Sequence, residues 1–312
     1  MRPSVSQASA NPSLLLWLAL FGIGVAWGSS QYFSKVIVTE GHHPLGISFA
    51  STLLGAVLAT GFLLARGNRL PLDRRHLVYY LVCGLTGTAL PNYTSYASMR
   101  ELPLGVISIV IAAVPIMTFL AAVALRMDRP EFRRVAGLVM GAIAVLILIV
   151  PETSLPEPED AIWVGVSLIT CLAYTIENIY IARYQPPGTT ALQTLCGLSW
   201  GALLLITPLV TATGLWMELD TQGWAESALV AMTLAHLLAY GGFVWLIAQA
   251  GPVFAAQVGY VVTLTGVAMG MVLLGEAHSV WVWASLVLMM AGLALVQPRH
   301  AQSGESTVHH AL

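Results

Sequence analysis

The chain of 312 residues is 57% hydrophobic and only 9% charged, with a mean hydropathy of +0.79. Soluble domains carry roughly a quarter charged residues, so this composition cannot cover a water-facing surface and specifies an integral membrane protein. A net charge of -2 and a pI near 6.4, with no basic face, exclude nucleic acid and leave the lipid bilayer and small solutes as partners.

A bilayer core about 30 Å thick needs about 20 mainly apolar helical residues. Runs of that length bounded by charge, Pro or Gly predict ten transmembrane helices, at 13–36, 44–65, 76–98, 103–125, 132–150, 161–183, 190–212, 225–248, 253–275 and 279–297. The first run is too long for a signal-peptide core and has no clear small-x-small cleavage site, so it is predicted to be retained. The expected fold is an all-α membrane protein with short connections.

Taken along the chain, the polar groups at membrane depth are the candidates for function, because each costs free energy unless partnered or wetted. Span one carries Trp27, Ser30 and Gln31, with Trp27 deeper than the usual interfacial belt. Span three carries Pro91, Asn92, Tyr93 and Tyr96; Asn92 and Tyr96 share a helical face, and Pro91 strips the Gly87 carbonyl of its intrahelical donor. Pro115 does the same to Ile111 in span four. Both prolines are expected to shape a cavity, with helix packing against Gly84, Gly87 and Thr88 as the alternative for Tyr93.

Span six holds Glu177 beside Asn178 in Y-T-I-E-N-I-Y. A carboxylate at a helix centre costs about 2.5 to 3.5 kcal/mol on insertion scales, so Glu177 either serves a site or reaches interfacial water; Arg183, six residues on, is off its face. His236 lies about 18 Å from either end of span eight, with Tyr240 one turn further on the same face. A neutral imidazole can satisfy itself within a core, but a cavity-lining role is favoured here. Gln257 and Tyr260 in span nine complete the set. Trp216, Trp224, Trp281 and Trp283 are expected in the interfacial belt, and Lys35, Arg100 and Arg183 are expected to snorkel.

With ten spans the basic residues sort by side. Eleven of thirteen fall on the side of the N-terminus and only Lys35 and Arg100 on the other, which predicts that both termini are cytoplasmic. Residues 151–160 are acidic, with no basic residue, and divide the chain into 1–150 and 151–312, five spans each. Two similar halves with an odd span number must be inverted. A faint similarity at an offset of 149 residues supports this, placing Pro103 on Pro252 and Pro115 near the Thr263 to Gly266 stretch.

The W-G-S-S-Q-Y-F-S-K passage from Trp27, the P-N-Y-T-S-Y-A-S passage from Pro91, the proline in mid span four and the L-L-G-E-A-H-S ending span nine resemble the drug/metabolite transporter superfamily, EamA family. The resemblance covers about residues 13–297. One departure is A-L-R-M-D-R-P after span four, where the family often has an acidic Gly-Glu pair. The resemblance implies a bacterial inner-membrane carrier that moves amino acids or other small metabolites, commonly outward, through a cavity lined by spans one, three, four, six, eight and nine.

The candidate substrate-binding residues are therefore Trp27, Gln31, Asn92, Tyr96, Glu177, Asn178, His236, Tyr240, Gln257 and Tyr260. No arginine lies deep enough to pair with a phosphate, so a small amphipathic or zwitterionic solute is expected rather than a polyanion. Proton coupling turns on whether Glu177 or His236 changes protonation during the cycle. The three cysteines, Cys83, Cys171 and Cys196, fit neither disulfide nor metal spacing, so no metal or cofactor is expected.

A rival pattern is G-L-S-W-G at Gly197 to Gly201 followed by His236 in A-H-L-L-A, similar to the Ser and His of rhomboid-like intramembrane proteases. The glycines that family requires are replaced by Trp200 and Ala239, and the strand-turn-helix context of soluble G-x-S-x-G hydrolases is absent. Gly197 and Gly201 are expected instead to form a small-x-x-x-small helix contact.

Overall fold

A computed structural model describes residues 14–149, 158–218 and 224–296, except for the side chains of 248 and 251–253. The described residues are helical, with no strand. In order they form α1 (Leu14–Thr39), α2 (Pro44–Ala65), α3 (Arg74–Gly84), a π segment (Leu85–Ala89), α4 (Leu90–Glu101), α5 (Leu104–Ile111), α6 (Val114–Ala124) and α7 (Phe132–Ile149). The second part holds α8 (Ala161–Tyr184), α9 (Ala191–Thr213), α10 (Ala225–Ala255), α11 (Val258–Leu274) and α12 (Val280–Val296). Seven segments among them are long and apolar enough to cross a membrane, and α11 and α12 are shorter apolar helices.

The two prolines act as their chemistry requires. Pro115 sits in the first turn of α6, after a break at Ala112 and Ala113 that ends α5 at Ile111. Pro91 does not end its helix. The chain instead absorbs the missing donor by widening into the π segment, whose last bond runs from the Leu90 N–H to the Leu85 carbonyl. α10 runs to Ala255, past the predicted end at 248, so only Ala256 and Gln257 separate it from α11. Most of the acidic stretch 151–160 lies outside the described residues.

The main helix contacts cross between the two parts of the chain. α1 packs on α10 and α11, α2 on α9, α3 on α9, α4 on α8, α5 on α11, α6 on α8 and α7 on α12. Close approach is made possible by glycine. A Cβ on Gly24 or Gly28 of α1 would overlap Val261 or Thr265 of α11, and one on Gly84 would meet the backbone of α9. Gly197 and Gly201 pack against Tyr80, as expected of a small-x-x-x-small contact. Cys83, Cys171 and Cys196 are buried free thiols.

One basic residue departs from the snorkelling expected of it. Lys35 turns inward, donating from Nζ to the Met99 and Leu102 carbonyls at the end of α4. These are carbonyls that a helix terminus leaves without donors, so Lys35 acts as a side-chain cap. Arg183 stays exposed, its guanidinium 5.7 Å from the Tyr184 ring.

Glu276 makes the matching cap. Its carboxylate accepts from the Leu104 and Gly105 N–H groups that open α5, with His278 Nε2 at 3.4 Å. Burial alone would raise the Glu276 pKa; the His278 contact and the two N–H groups outweigh it and hold the carboxyl below its ordinary 4.5. A depressed folded-state pKa stabilises the fold above the unfolded value, and that stabilisation is lost as pH falls through the folded one. Glu276→Ala is therefore expected to cost about 1 to 2 kcal/mol near neutrality and to shrink in effect below pH ~4, read by thermal unfolding in detergent.

Candidate functional site

The helical wheel of α10 separates two exposed surfaces. Leu234, Leu238 and Trp245 form an apolar one suited to lipid, while His236, also exposed, lies about 160° to 200° around the helix from each. It points toward α1, where its ring meets Trp27 edge-on at a centroid distance of 5.9 Å. Phe243, on the same face of α10, meets Trp27 at 5.6 Å. Trp27 is thus an interior contact rather than an interfacial anchor.

Tyr240, one turn beyond His236, is half-buried, with its hydroxyl 3.5 Å from the Ala191 carbonyl. It lies within electrostatic range of Glu177 and Cys83. Glu177 projects from α8 onto the π segment so closely that a Cβ on Gly87 would overlap its carboxylate. No described cation or hydrogen-bond donor pairs with Glu177, and it is not fully buried. Trp27, His236, Tyr240 and Glu177 thus draw together α1, α10, α8 and the widened part of span three.

Two residues of this constellation escaped the reading of the sequence. Gly87 was legible only as a packing glycine, and its role as the seat of a carboxylate follows from the tertiary pairing of α8 with the π segment. Tyr174 lies within range of both Glu177 and Tyr96. Its spacing of three residues before Glu177 was the available signal.

The other candidates are distributed around this centre. Tyr96 is buried and bridges helices, with its hydroxyl near Met232 Sδ at 3.9 Å and beside Ser34 and Ser51. Gln31 accepts from Ser108 Oγ at 3.0 Å, next to Gly266, where α1, α5 and α11 cross. Asn178 donates to Thr118 of α6 at 3.3 Å and is turned off the Glu177 face. Asn92 and Tyr260 are half-buried, and Gln257 sits in the turn between α10 and α11.

The structure gives the rival dyad no support. Ser199 is buried and its hydroxyl donates to the Leu195 carbonyl of its own helix at 2.8 Å. The His236 ring is engaged with Trp27 instead, and no hydrogen bond joins the two residues. Among the described residues no group of three His, Cys, Asp or Glu is placed to hold a metal ion.

Residues 14–150 match the EamA-like transporter family. The chain is 26% identical over 286 residues to the uncharacterized inner membrane transporter YedA of Escherichia coli (strain K12), covering 91% of this chain and 90% of that protein. The same protein of Escherichia coli O157:H7 matches to the same extent. A solved crystal structure of a protein with 16% sequence identity superposes with a TM-score of 0.61, covering 90% of this chain and 97% of that one, which shows a shared fold.

Proposed function

We propose that this chain, which is similar to the EamA-like transporter family over residues 14–150, is a multi-pass inner-membrane transporter that exports amino acids or related small zwitterionic metabolites. The observation that carries the reading is a run of neighbours across three helices: Trp27 of α1 against His236 of α10, Tyr240 one turn further along α10, and the unpaired carboxylate Glu177 of α8 within range of Tyr240. Glu177 suits the ammonium of a zwitterion, the aromatic rings its apolar body, and His236 a hydrogen bond to its polar end. Arginine, the residue that best clamps phosphate, is missing from this set, which argues against sugar phosphates.

The transport unit is ten spans with both termini cytoplasmic, arranged as two inverted halves, 1–150 and 151–312. Span three is α3 through α4 and span four is α5 with α6. The helix pairing supports the repeat: exchanging each span for the one five positions away maps the most extensive helix pairs onto one another. Pairing of α1 with α10 maps onto α8 with α4, α1 with α11 onto α8 with α6, and α3 with α9 onto α10 with α2. Alternating access then moves symmetry-related elements about the Glu177 to His236 centre.

Proteoliposomes loaded with candidate solutes test the assignment through counterflow of labelled substrate. Saturable exchange of at least one neutral amino acid, absent with hexose phosphates, is the expected result. Exchange of phosphorylated sugars without amino acids would contradict it.

A further inference from the structure

A cavity of about 590 Å³ opens where the start of α3 meets the end of α8. Its walls carry three guanidiniums, Arg74, Arg75 and Arg183, together with Tyr79, Tyr180 and Tyr184. No carboxylate lines it, and none of the three arginines takes part in an ion pair among the described residues. Convergence of three like charges in one concavity is unfavourable without an anion to share them, and at this volume the anion is larger than a chloride ion.

Two observations identify which side the anion comes from. The inner wall is closed: Tyr79 is 1% exposed and Cys83 0%, and Tyr79 stacks on Tyr180 at 6.1 Å with an interplanar angle of 16°. That packing separates the cavity from Glu177, three residues before Tyr180 on α8. On the outer side the cavity runs into lipid-suited surface. Val78, part of its wall, continues seven residues later as exposed Leu85, and Arg183 is preceded seven residues earlier by exposed Ile176. Seven residues return to the same helical face, so each charged lip tops an apolar strip running into the membrane.

We propose that this cavity binds the phosphate headgroup of an anionic bilayer phospholipid, with its acyl chains lying along the Val78 to Leu85 and Ile176 strips. The arginines supply charge-assisted bonds to the phosphodiester oxygens and the Tyr180 and Tyr184 hydroxyls the remaining donors, the Tyr79 hydroxyl being buried against Thr194. Because α3 and α8 belong to different halves of the chain, the bound headgroup ties the halves together at one end of the molecule. The proposal is independent of the solute that Glu177 and His236 recognise.

Native mass spectrometry and thermal unfolding of the purified full-length protein test this. The probes are cardiolipin and phosphatidylglycerol, phosphatidylcholine as the neutral control, and inorganic phosphate or pyrophosphate as soluble anions. Retained anionic-lipid adducts and a raised Tm are expected for the wild type and for Arg66→Gln/Arg129→Gln. A several-fold loss of both is expected for Arg74→Gln/Arg75→Gln/Arg183→Gln. Should the triple variant fail to fold, Arg183→Gln alone is expected to weaken the adduct while keeping the wild-type Tm in neutral lipid. Undiminished anionic-lipid adducts in the folded arginine variants, or equal stabilisation by pyrophosphate, would overturn the proposal, the latter by making the cavity a site for a soluble anion.

Discussion

Gly84→Leu is expected to leave little folded protein. A side chain at this position would place its Cβ 2.5 Å from the Ala202 amide nitrogen, 2.7 Å from the Leu198 carbonyl oxygen and 2.8 Å from the Gly201 carbonyl carbon. All three are backbone atoms of α9, which cannot rotate away, so α3 and α9 would have to separate. Overpacking relieved by side-chain motion costs roughly 1 to 3 kcal/mol, and a conflict between two backbones belongs at or above the upper end. The expected loss is on the order of 3 kcal/mol or more, measured by thermal unfolding and by the monodisperse fraction in detergent. Gly22→Leu is the control: a Cβ there meets nothing within 4 Å, and its effect should stay within about 0.5 kcal/mol. Equal tolerance of both substitutions would mean that α3 and α9 do not approach as described.

Gly87→Ala should separate folding from transport. The three atoms nearest the new methyl group all belong to the Glu177 carboxylate, the mobile end of a flexible side chain. Alanine also relieves the conformational cost of glycine in a helix, a gain of up to about 1 kcal/mol, so the variant should fold. The carboxylate is displaced from its seat by the π segment, and transport is expected to fall by roughly tenfold or more, in keeping with the cost of a small misplacement of a binding group. Unchanged flux in a folded Gly87→Ala protein would remove Glu177 from the pathway.

Position along the membrane normal was legible in the sequence because it follows from apolar run length. The positions of α2, α7, α9 and α12 follow from those runs to within a residue or two. Orientation about each helix axis was less legible, because it depends on partners distant in the chain. Spacing alone paired His236 with Tyr240, and the helical wheel then agreed with the contact to Trp27. It could not place Glu177 against Gly87, since that contact requires the α8 pairing with span three.

Lys35 shows the same limit in charge. Seen alone it is a lysine near a span end and should reach for water. In the folded chain the unpaired carbonyls of Met99 and Leu102 are closer and sufficient. Pro91 was legible as a fault in the hydrogen-bond ladder, but not as a π segment, because kinking and widening both relieve the same missing donor.

The central claim is that Trp27, His236, Tyr240 and Glu177 form the solute site, and ligand-induced thermal stabilisation of the purified protein tests it most directly. A ligand at a hundredfold its Kd stabilises the folded state by about 2.7 kcal/mol, enough for a clear shift in Tm. Across a panel of amino acids and related metabolites, at least one zwitterion should raise the Tm of the wild type and of Tyr93→Ala, whose ring is exposed away from this centre. The shift should vanish in His236→Ala and in Tyr240→Ala. Full stabilisation by the same ligand in both of those variants would contradict the account.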